Sequence, residues 1–169
     1  MKDNIKLVIG KIWEQDVDAI VSPANNESLV DSPLAQEIFE YAGDKIIEKA
    51  NTADKIELGE ATLTEAGKLK ARYIIHAACL DFSGKTSENS IVKATRNAML
   101  LAQKHNFNSV AFPPFVTSSN DVIPPRRCAE LMVSEVIRTT EREDIPEIIY
   151  FAVPTRVLYS IYEEALMMI

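Results

Sequence analysis

Two adjacent asparagines, Asn25 and Asn26, follow a short apolar segment near the start of the chain. An amide side chain both donates and accepts hydrogen bonds, so an asparagine at the end of a strand can bind the hydroxyl groups of a small polar ligand. Asparagine is also common in turns, where its side chain hydrogen-bonds the nearby backbone. The sequence leaves both roles open for Asn25.

Arg126 and Arg127 are the next residues whose chemistry suggests a ligand. A guanidinium group can bind a phosphate through two parallel hydrogen bonds. Both residues follow Pro125, at which a helix is predicted to begin, and a positive charge is unfavourable at that end of the helix dipole. The pair is therefore either an anion contact or a solvated helix start.

His76, Cys79 and Cys128 are of types that can act as bases, nucleophiles or metal ligands, but their pattern indicates structural roles. His76 lies within an apolar segment, with no Ser or Cys motif to act with, and is predicted to be a hydrogen-bonded core histidine. The cysteines have neither metal-ligand spacing nor a CxxC motif. We predict two reduced, partly buried thiols, with a disulfide or a nucleophile as the alternatives. No catalytic residue and no metal site is assigned.

The hydrophobic pattern places these residues in alternating strands and helices. Such alternation predicts βαβ units and a largely parallel sheet, which binds ligands beyond the carboxyl ends of its strands. Strands are predicted at residues 5–9, 17–21, 61–66, 72–78, 109–112 and 147–153. Helices are predicted at residues 33–42, 44–51, 87–105, 125–140 and 155–168, the first capped by Ser32.

The composition is that of one globular domain spanning residues 1–169. The net charge of −7 argues against a nucleic-acid partner, which would require clustered Lys and Arg. No apolar run approaches the roughly 20 residues that cross a bilayer, and the N-terminus lacks the pattern of a signal peptide. We therefore expect a cytoplasmic protein with no membrane partner. The chain has five glycines, against about twelve at average usage.

Four segments, in order along the chain, resemble motifs of the macrodomain family. VDAIVSPAN at residues 17–25 resembles the family's VDAIVNAAN, and GEATLT at 59–64 with ARYIIHAA at 71–78 resembles its GEAxxT and AKYVIHAA strands. ATRNA at 94–98 and SVAFP at 109–113 resemble a further helix and strand. The resemblance implies a three-layer α/β/α sandwich with a mixed, mostly parallel sheet of six to seven strands. It also implies a nucleotide-derived small molecule, ADP-ribose, as the ligand class.

The resemblance further implies which residues would meet that ligand. Asn25, with Asn26 beside it, matches the asparagine that contacts the distal ribose. The first phosphate loop is glycine-rich in the family but includes Val30 and Ser32 here, followed by Pro33. Valine resists positive φ and proline has no N–H, so this loop is poorly suited to cradle a phosphate.

The second phosphate loop of the family is also glycine-rich, and here its glycines are absent. Thr117 is kept, and Ser118, Ser119 and Asn120 stand where small residues are needed. These polar residues could form an anion-binding nest of backbone amides, whereas Asp121 would repel an anion. An ordinary polar loop is the alternative for this segment.

Two acids expected from the resemblance are missing as well. Lys11 stands where the family has the acid that contacts adenine, and lysine cannot accept a hydrogen bond. Ala35 aligns with the acid of the hydrolytic members, so no general base can be assigned there.

Two hypotheses follow for the function. The favoured one is a divergent macrodomain-like protein whose ADP-ribose recognition is weakened or lost, and which binds another small ligand or contacts a protein. The alternative is a macrodomain that binds ADP-ribose or a related nucleotide and hydrolyses ADP-ribosyl adducts. Whether the protein is an enzyme stays open, and no cofactor is expected. The apolar C-terminus, residues 165–169, is expected to dock on the core, with burial in a homo-oligomer as the alternative.

Overall fold

The computed structural model describes residues 2–118 and 121–169. Within these ranges the chain forms six strands and five α-helices, in the order that the hydrophobic pattern predicts. The strands are β1 (Ile5–Ile9), β2 (Ala19–Asn25), β3 (Ala61–Glu65), β4 (Tyr73–Leu80), β5 (Ser109–Phe112) and β6 (Ile148–Val153). The helices are α1 (Pro33–Ala42), α2 (Asp44–Asn51), α3 (Glu88–Lys104), α4 (Pro125–Thr140) and α5 (Arg156–Met167).

The six strands form one mixed sheet in the order β1-β6-β5-β2-β4-β3. Every neighbouring pair is parallel except β3 and β4, which are antiparallel. This arrangement confirms the predicted fold class. The carboxyl ends of the five parallel strands meet at one edge of the sheet, which is where ligands bind in such folds.

Helices α1 and α2 cover one face of the sheet. Ile38 and Phe39 of α1 and Ile46 of α2 are buried in the same core cluster as Ile20 of β2 and Ile74 of β4. Burial of each such side chain contributes roughly 1.5–3 kcal/mol. This packing fixes the start of α1 beside the carboxyl end of β2.

Helices α3, α4 and α5 cover the opposite face and complete the three layers. Met99 of α3, Met132 of α4 and Tyr162 of α5 belong to one buried cluster with Phe112 of β5 and Phe151 of β6. The rings of Phe112 and Phe151 stack with their centres 5.7 Å apart. The helices that follow β5 and β6 therefore begin at the same edge of the sheet as α1.

Several predicted strand boundaries differ from the observed ones by one or two residues, and the largest difference is at the end of β2. The predicted strand at residues 17–21 ends before Pro23, but β2 continues through Pro23 to Asn25. Proline lacks the N–H that a central strand needs. Here β5 pairs with β2 only at Ala19 and Ile20, so one side of β2 has no strand partner at Pro23. The strand therefore tolerates the proline and carries Asn25 further along the carboxyl edge.

The expectation for the C-terminus holds only in part. Tyr162 and Ala165 of α5 are buried on the core, but Met167, Met168 and Ile169 are 76%, 75% and 45% exposed. The last three apolar residues thus extend past the surface against which α5 packs. Across the two described ranges, no helix is both long and apolar enough to cross a bilayer.

Candidate functional site

A cleft of about 770 Å³ opens at the carboxyl edge of the sheet. Its volume lies within the range of about 300–1,000 Å³ that is typical of small-molecule sites. The segment after β1, the loop after β5 and the starts of α1, α4 and α5 form its walls. They contribute Gly10, Lys11, Ile12, Trp13, Pro33, Leu34, Glu37, Pro113, Pro114, Thr117, Pro124, Pro125, Arg126, Ala152, Pro154, Thr155, Val157, Leu158 and Ile161.

Proline is the most frequent residue in this cleft. Six of the chain's eight prolines line it: Pro33, Pro113, Pro114, Pro124, Pro125 and Pro154. Pro33 is the first residue of α1, and Pro125 is the first residue of α4, preceded by Pro124. Helix starts normally offer N–H groups to anions, and proline has none to offer. The walls therefore present apolar ring atoms where an anion site would need donors.

Two of the helices at the cleft are also capped by their own side chains. The Ser32 hydroxyl accepts from the Ala35 N–H at 3.1 Å, and the Thr155 hydroxyl accepts from the Leu158 N–H at 3.2 Å. Each cap satisfies an N–H that an external anion could otherwise bind. The starts of α1 and α5 are thus partly closed to a phosphate.

The segment after β1 supplies a cation and an aromatic ring to the cleft. Nζ of Lys11 lies 5.6 Å from the centre of the Trp13 ring, close enough for a cation–π contact. The Trp13 ring in turn stacks on Tyr41 of α1, with the ring centres 5.0 Å apart. Lys11 therefore occupies the position at which the resemblance calls for an acid, and it is held against an aromatic surface.

The two arginines at the start of α4 differ in their placement. Arg126 lines the cleft and forms an ion pair with Glu164 of α5. Arg127 lies outside the cleft lining and pairs with Glu88 of α3 at 2.8 Å and with Glu130 at 3.2 Å. Arg127 thus links α3 to α4, whereas Arg126 remains near enough to meet a ligand.

Asn25 lies outside the lining of the main cleft. Its Oδ1 atom accepts from the backbone N–H groups of Glu27 at 2.9 Å and Ser28 at 2.6 Å. Asn25 and Asn26 line a separate cavity of about 50 Å³. Oδ1 of Asn26 is buried and accepts no hydrogen bond from the described part of the chain. The side chain of Asn25 thus stabilises its own turn, which is one of the two roles that the sequence leaves open.

Val30 and Ser32 do not form a phosphate loop of the kind that glycines build. Within the described residues, Asn106 is the only non-glycine with positive φ, so the backbone at Val30 and Asp31 is ordinary. Val30 packs against the core beneath α1, and Ser32 is 4% exposed. Neither residue lines the main cleft.

Among the described residues of the two predicted phosphate loops, Thr117 is the one that lines the main cleft. Ser118 is exposed, and its carbonyl oxygen accepts from the Asp121 N–H at 3.3 Å. The predicted contacts at Ser119 and Asn120 lie outside the described residues. The ligand contacts assigned to this loop remain predictions.

His76 and the cysteines are core residues. The Nε2 atom of His76 lies 2.8 Å from Oγ1 of Thr64, and burial lowers the pKa of His76 to about 3. Its Nδ1 atom is buried and has no partner in the described chain, so the expectation of a fully hydrogen-bonded ring holds for one nitrogen only. Cys79 and Cys128 are free, as predicted, and are fully rather than partly buried.

Comparison with known proteins identifies the family. A model of the Macro domain matches residues 21–132. The chain belongs to the macro domain family. It is 40% identical over 134 residues to an uncharacterized protein of Aquifex aeolicus (strain VF5), covering 79% of this chain and 81% of that protein. It is also 29% identical over 157 residues to the O-acetyl-ADP-ribose deacetylase of Salmonella newport (strain SL254), covering 89% of this chain and 87% of that protein.

A solved macrodomain supports the fold. The structure of the Trypanosoma brucei macrodomain in complex with ADP-ribose matches with a TM-score of 0.84 at 24% sequence identity. The match covers 96% of this chain and 69% of that chain. At this identity the match bears on the three-layer architecture of this macrodomain and not on its ligand.

Several residues that line the macrodomain cleft are not predicted from the sequence. Trp13 is the only tryptophan and follows β1, a parallel strand whose carboxyl end also faces the cleft. Glu37 lies one turn into α1 and is the only carboxylate among the described lining residues. Val157 of α5 lines the cleft although it is 72% exposed. Their position along the chain could have predicted them. Each follows the carboxyl end of a parallel strand by a few residues or lies in the next helix.

Proposed function

We propose that this macrodomain has lost tight recognition of the ADP-ribose diphosphate and that its cleft binds a small ligand with less negative charge. The observation that carries this proposal is the set of six prolines in the cleft wall. A diphosphate requires several N–H or cationic donors, and each proline removes one backbone donor. Apolar contacts with Ile12, Leu34 and Ile161 favour a planar or aliphatic group instead.

The caps of α1 and α5 support the same proposal. A phosphate at the start of α1 would have to compete with Ser32 for the Ala35 N–H, and at α5 with Thr155 for the Leu158 N–H. An N–H that is already bonded inside the protein gains little from a second acceptor. The diphosphate would therefore be desolvated without full replacement of its hydrogen bonds to water.

The absence of a carboxylate at residue 35 argues against adduct hydrolysis. Ala35 is fully buried and carries no titratable group. Glu37 lines the cleft on the same helix, two residues further on, so its side chain leaves α1 in a different direction. We therefore assign no catalytic base, and contact with another protein remains a second use for the apolar cleft.

The alternative function, binding and processing of ADP-ribose, is favoured by a different set of observations. Lys11, Arg126 and Thr117 line the cleft and can donate hydrogen bonds. The relative in Salmonella newport is an O-acetyl-ADP-ribose deacetylase, and the macrodomain of Trypanosoma brucei binds ADP-ribose in its structure. Under this alternative, the two cations would replace the glycine-loop amides as phosphate ligands.

Calorimetric titration of the full chain separates the two functions. ADP-ribose and adenosine are titrated in parallel, and Trp13 fluorescence reports whether either one enters the cleft. The proposal expects ADP-ribose to bind no more than about threefold more tightly than adenosine, because the diphosphate gains little. Micromolar binding of ADP-ribose with much weaker binding of adenosine overturns it. In that case, Asn25→Ala tests whether the asparagine contacts the ligand.

A further inference from the structure

A second cavity, of about 260 Å³, lies between α3 and α4 and shares no lining residue with the main cleft. Three arginines line it: Arg96 from α3, Arg138 from α4 and Arg142 from the turn after α4. Glu135 is the single acid in its lining. Arginines therefore outnumber acids three to one in this lining, in a chain whose net charge is −7.

Glu135 fixes the first of these arginines in place. Its side chain is only 4% exposed, and its Oε1 atom accepts from Nε of Arg96 at 2.7 Å. A guanidinium group has five N–H donors, so this bond uses one donor of Arg96 and leaves four for other acceptors. The Arg96 side chain is 42% exposed, which leaves these donors open to the cavity.

The other two arginines are less committed to protein partners. Arg138 approaches Glu135 only at 4.0 Å and its side chain is 62% exposed. Arg142 is exposed, and no carboxylate in the described residues pairs with it. Glu135 can neutralise the charge of one guanidinium group, so the charge of the other two has no acid to balance it in this lining.

The floor of the cavity is ordered by polar contacts between the helices. Nε2 of Gln103 donates to the carbonyl oxygen of Thr139 at 3.3 Å. The N–H of Arg142 donates to the same carbonyl at 3.3 Å, which holds the backbone of Arg142 against the end of α4. The three arginines are therefore presented from backbone positions that packing and hydrogen bonds define.

We propose that this cavity is an anion site for a compact phosphate-type group, such as inorganic diphosphate or the phosphate end of a small metabolite. Guanidinium forks match the geometry of phosphate oxygens, and three forks around one cavity can contact a multivalent anion from several sides. Pockets for drug-sized ligands have volumes of about 300–1,000 Å³, so a cavity of 260 Å³ fits a phosphate-type group better than a whole nucleotide.

Compensation of the helix dipole explains part of this pattern but not all of it. Positive side chains at the end of a helix stabilise it, and Arg138 and Arg142 lie at the end of α4. Arg96 lies in the middle of α3, where no such benefit exists. Glu141 and Glu143 flank Arg142 in sequence, but neither lines the cavity.

Titration of the full chain with sodium diphosphate, at fixed ionic strength, tests the site. Amide chemical shifts of Gln103 and Thr139 report on this cavity, and Trp13 fluorescence reports on the main cleft. We expect saturable 1:1 binding that shifts these amides and leaves Trp13 unchanged. The double variant Arg138→Gln/Arg142→Gln is expected to bind at least about tenfold more weakly, because two charge-assisted contacts are lost.

The control variant is Lys45→Gln/Lys70→Gln, which removes the same charge from two exposed residues outside the cavity. We expect this control to bind diphosphate as the parent chain does. Arg138→Lys/Arg142→Lys keeps the charge but removes the planar fork. Its affinity for diphosphate is expected to lie between those of the parent chain and Arg138→Gln/Arg142→Gln. The proposal is overturned if Lys45→Gln/Lys70→Gln weakens diphosphate binding as much as Arg138→Gln/Arg142→Gln does. It is also overturned if citrate binds as tightly as diphosphate, or if diphosphate binding does not saturate. Binding that changes Trp13 fluorescence instead assigns the anion to the main cleft and counts against the proposed function as well.

Discussion

The Ser32 hydroxyl donates to the carbonyl oxygen of Pro23 at 2.6 Å and ties the start of α1 to β2. The hydroxyl oxygen of Ser32 also accepts from the Ala35 N–H at 3.1 Å. One side chain therefore satisfies an acceptor that the proline-containing strand exposes and a donor at the start of the helix. An anion that bound the Ala35 N–H would have to compete with this arrangement.

Replacement of Ser32 by alanine is expected to lower the free energy of unfolding by about 1–2 kcal/mol. The variant loses the helix cap and leaves the buried Pro23 carbonyl oxygen without its donor. Urea denaturation measures the change. Ser160→Ala, at an exposed position of α5, is the matched control and should stay within about 0.5 kcal/mol of the parent chain. Equal losses in the two variants would contradict a special role for Ser32.

The buried His76 is expected to make the protein less stable as the pH falls below about 6.5. Burial lowers the pKa of His76 to about 3, whereas the unfolded chain takes up a proton there near pH 6.5. Between these values the unfolded state binds more protons, so stability falls as the pH decreases. In His76→Gln, the loss of stability between pH 7 and pH 5 should be smaller by on the order of 1–2 kcal/mol.

His105→Gln is the control for that experiment, because His105 is exposed. A change of the pH dependence as large as that in His76→Gln would contradict the assignment of the effect to the buried ring of His76. An NMR titration provides an independent check, since the ring signals of His76 should not titrate between pH 5 and pH 8. A midpoint for His76 within that range would rule out the neutral buried ring.

The sequence predicts those elements best whose ends carry strong local signals. Ser32 and Pro33 define the start of α1, and Gly43 defines its end with a φ of 100°. The bounds of α1, α2 and α4 agree with the prediction. Proline begins α1 and α4, and Gly43 separates α1 from α2, and both residue types act through the local backbone alone. The family motifs likewise predict the sheet and its layers.

The candidate site is less predictable because it depends on packing between distant segments. Whether Asn25 points to a ligand or to its own turn depends on the path of residues 26–28, which no local signal specifies. Trp13 reaches the cleft because a short turn at Ile12–Glu14 directs it there and Tyr41 of α1 supports its ring. The extension of β2 through Pro23 depends on where β5 diverges, and that is a property of the whole sheet.

The two cysteines are expected to resist alkylation in the folded protein. Burial raises the pKa of Cys79 far above its usual value and that of Cys128 to about 12. The reactive thiolate of Cys128 is therefore on the order of a thousandfold less populated than that of a thiol with a pKa of 9, and access is blocked as well. Iodoacetamide followed by mass spectrometry should find neither cysteine modified in buffer and both modified in urea.

A variant with one exposed thiol provides the positive control for that experiment. Ser160→Cys places a cysteine on the solvent side of α5, where iodoacetamide should react in buffer within the same time. Rapid modification of Cys79 or Cys128 in the folded parent chain would show that the core opens on the timescale of labelling. It would also favour the alternative role of that cysteine as a nucleophile.

Restoring the first loop of the family should restore binding of ADP-ribose. The variant Val30→Gly/Asp31→Gly/Ser32→Gly/Pro33→Val removes the helix cap and the negative charge, returns one N–H and allows positive φ at three positions. We expect ADP-ribose to bind at least about tenfold more tightly than to the parent chain, because each charge-assisted amide contact contributes about 1.5–3 kcal/mol. Loss of the Ser32 side chain lowers stability by about 1–2 kcal/mol and each glycine lowers it by about 0.4–1 kcal/mol more, so the folded fraction is checked by circular dichroism.

Asp31→Asn is the control, since it removes the same charge and leaves the proline and the cap in place. If charge repulsion alone excludes the diphosphate, this single change should gain as much affinity as the fourfold variant. If missing amides are the cause, as the proline-lined walls indicate, Asp31→Asn should gain little and the fourfold variant most of the effect. A folded fourfold variant with unchanged affinity for ADP-ribose would show that the loop does not limit binding. The affinity for ADP-ribose would then be limited by Lys11 or by the cleft walls at the starts of α4 and α5.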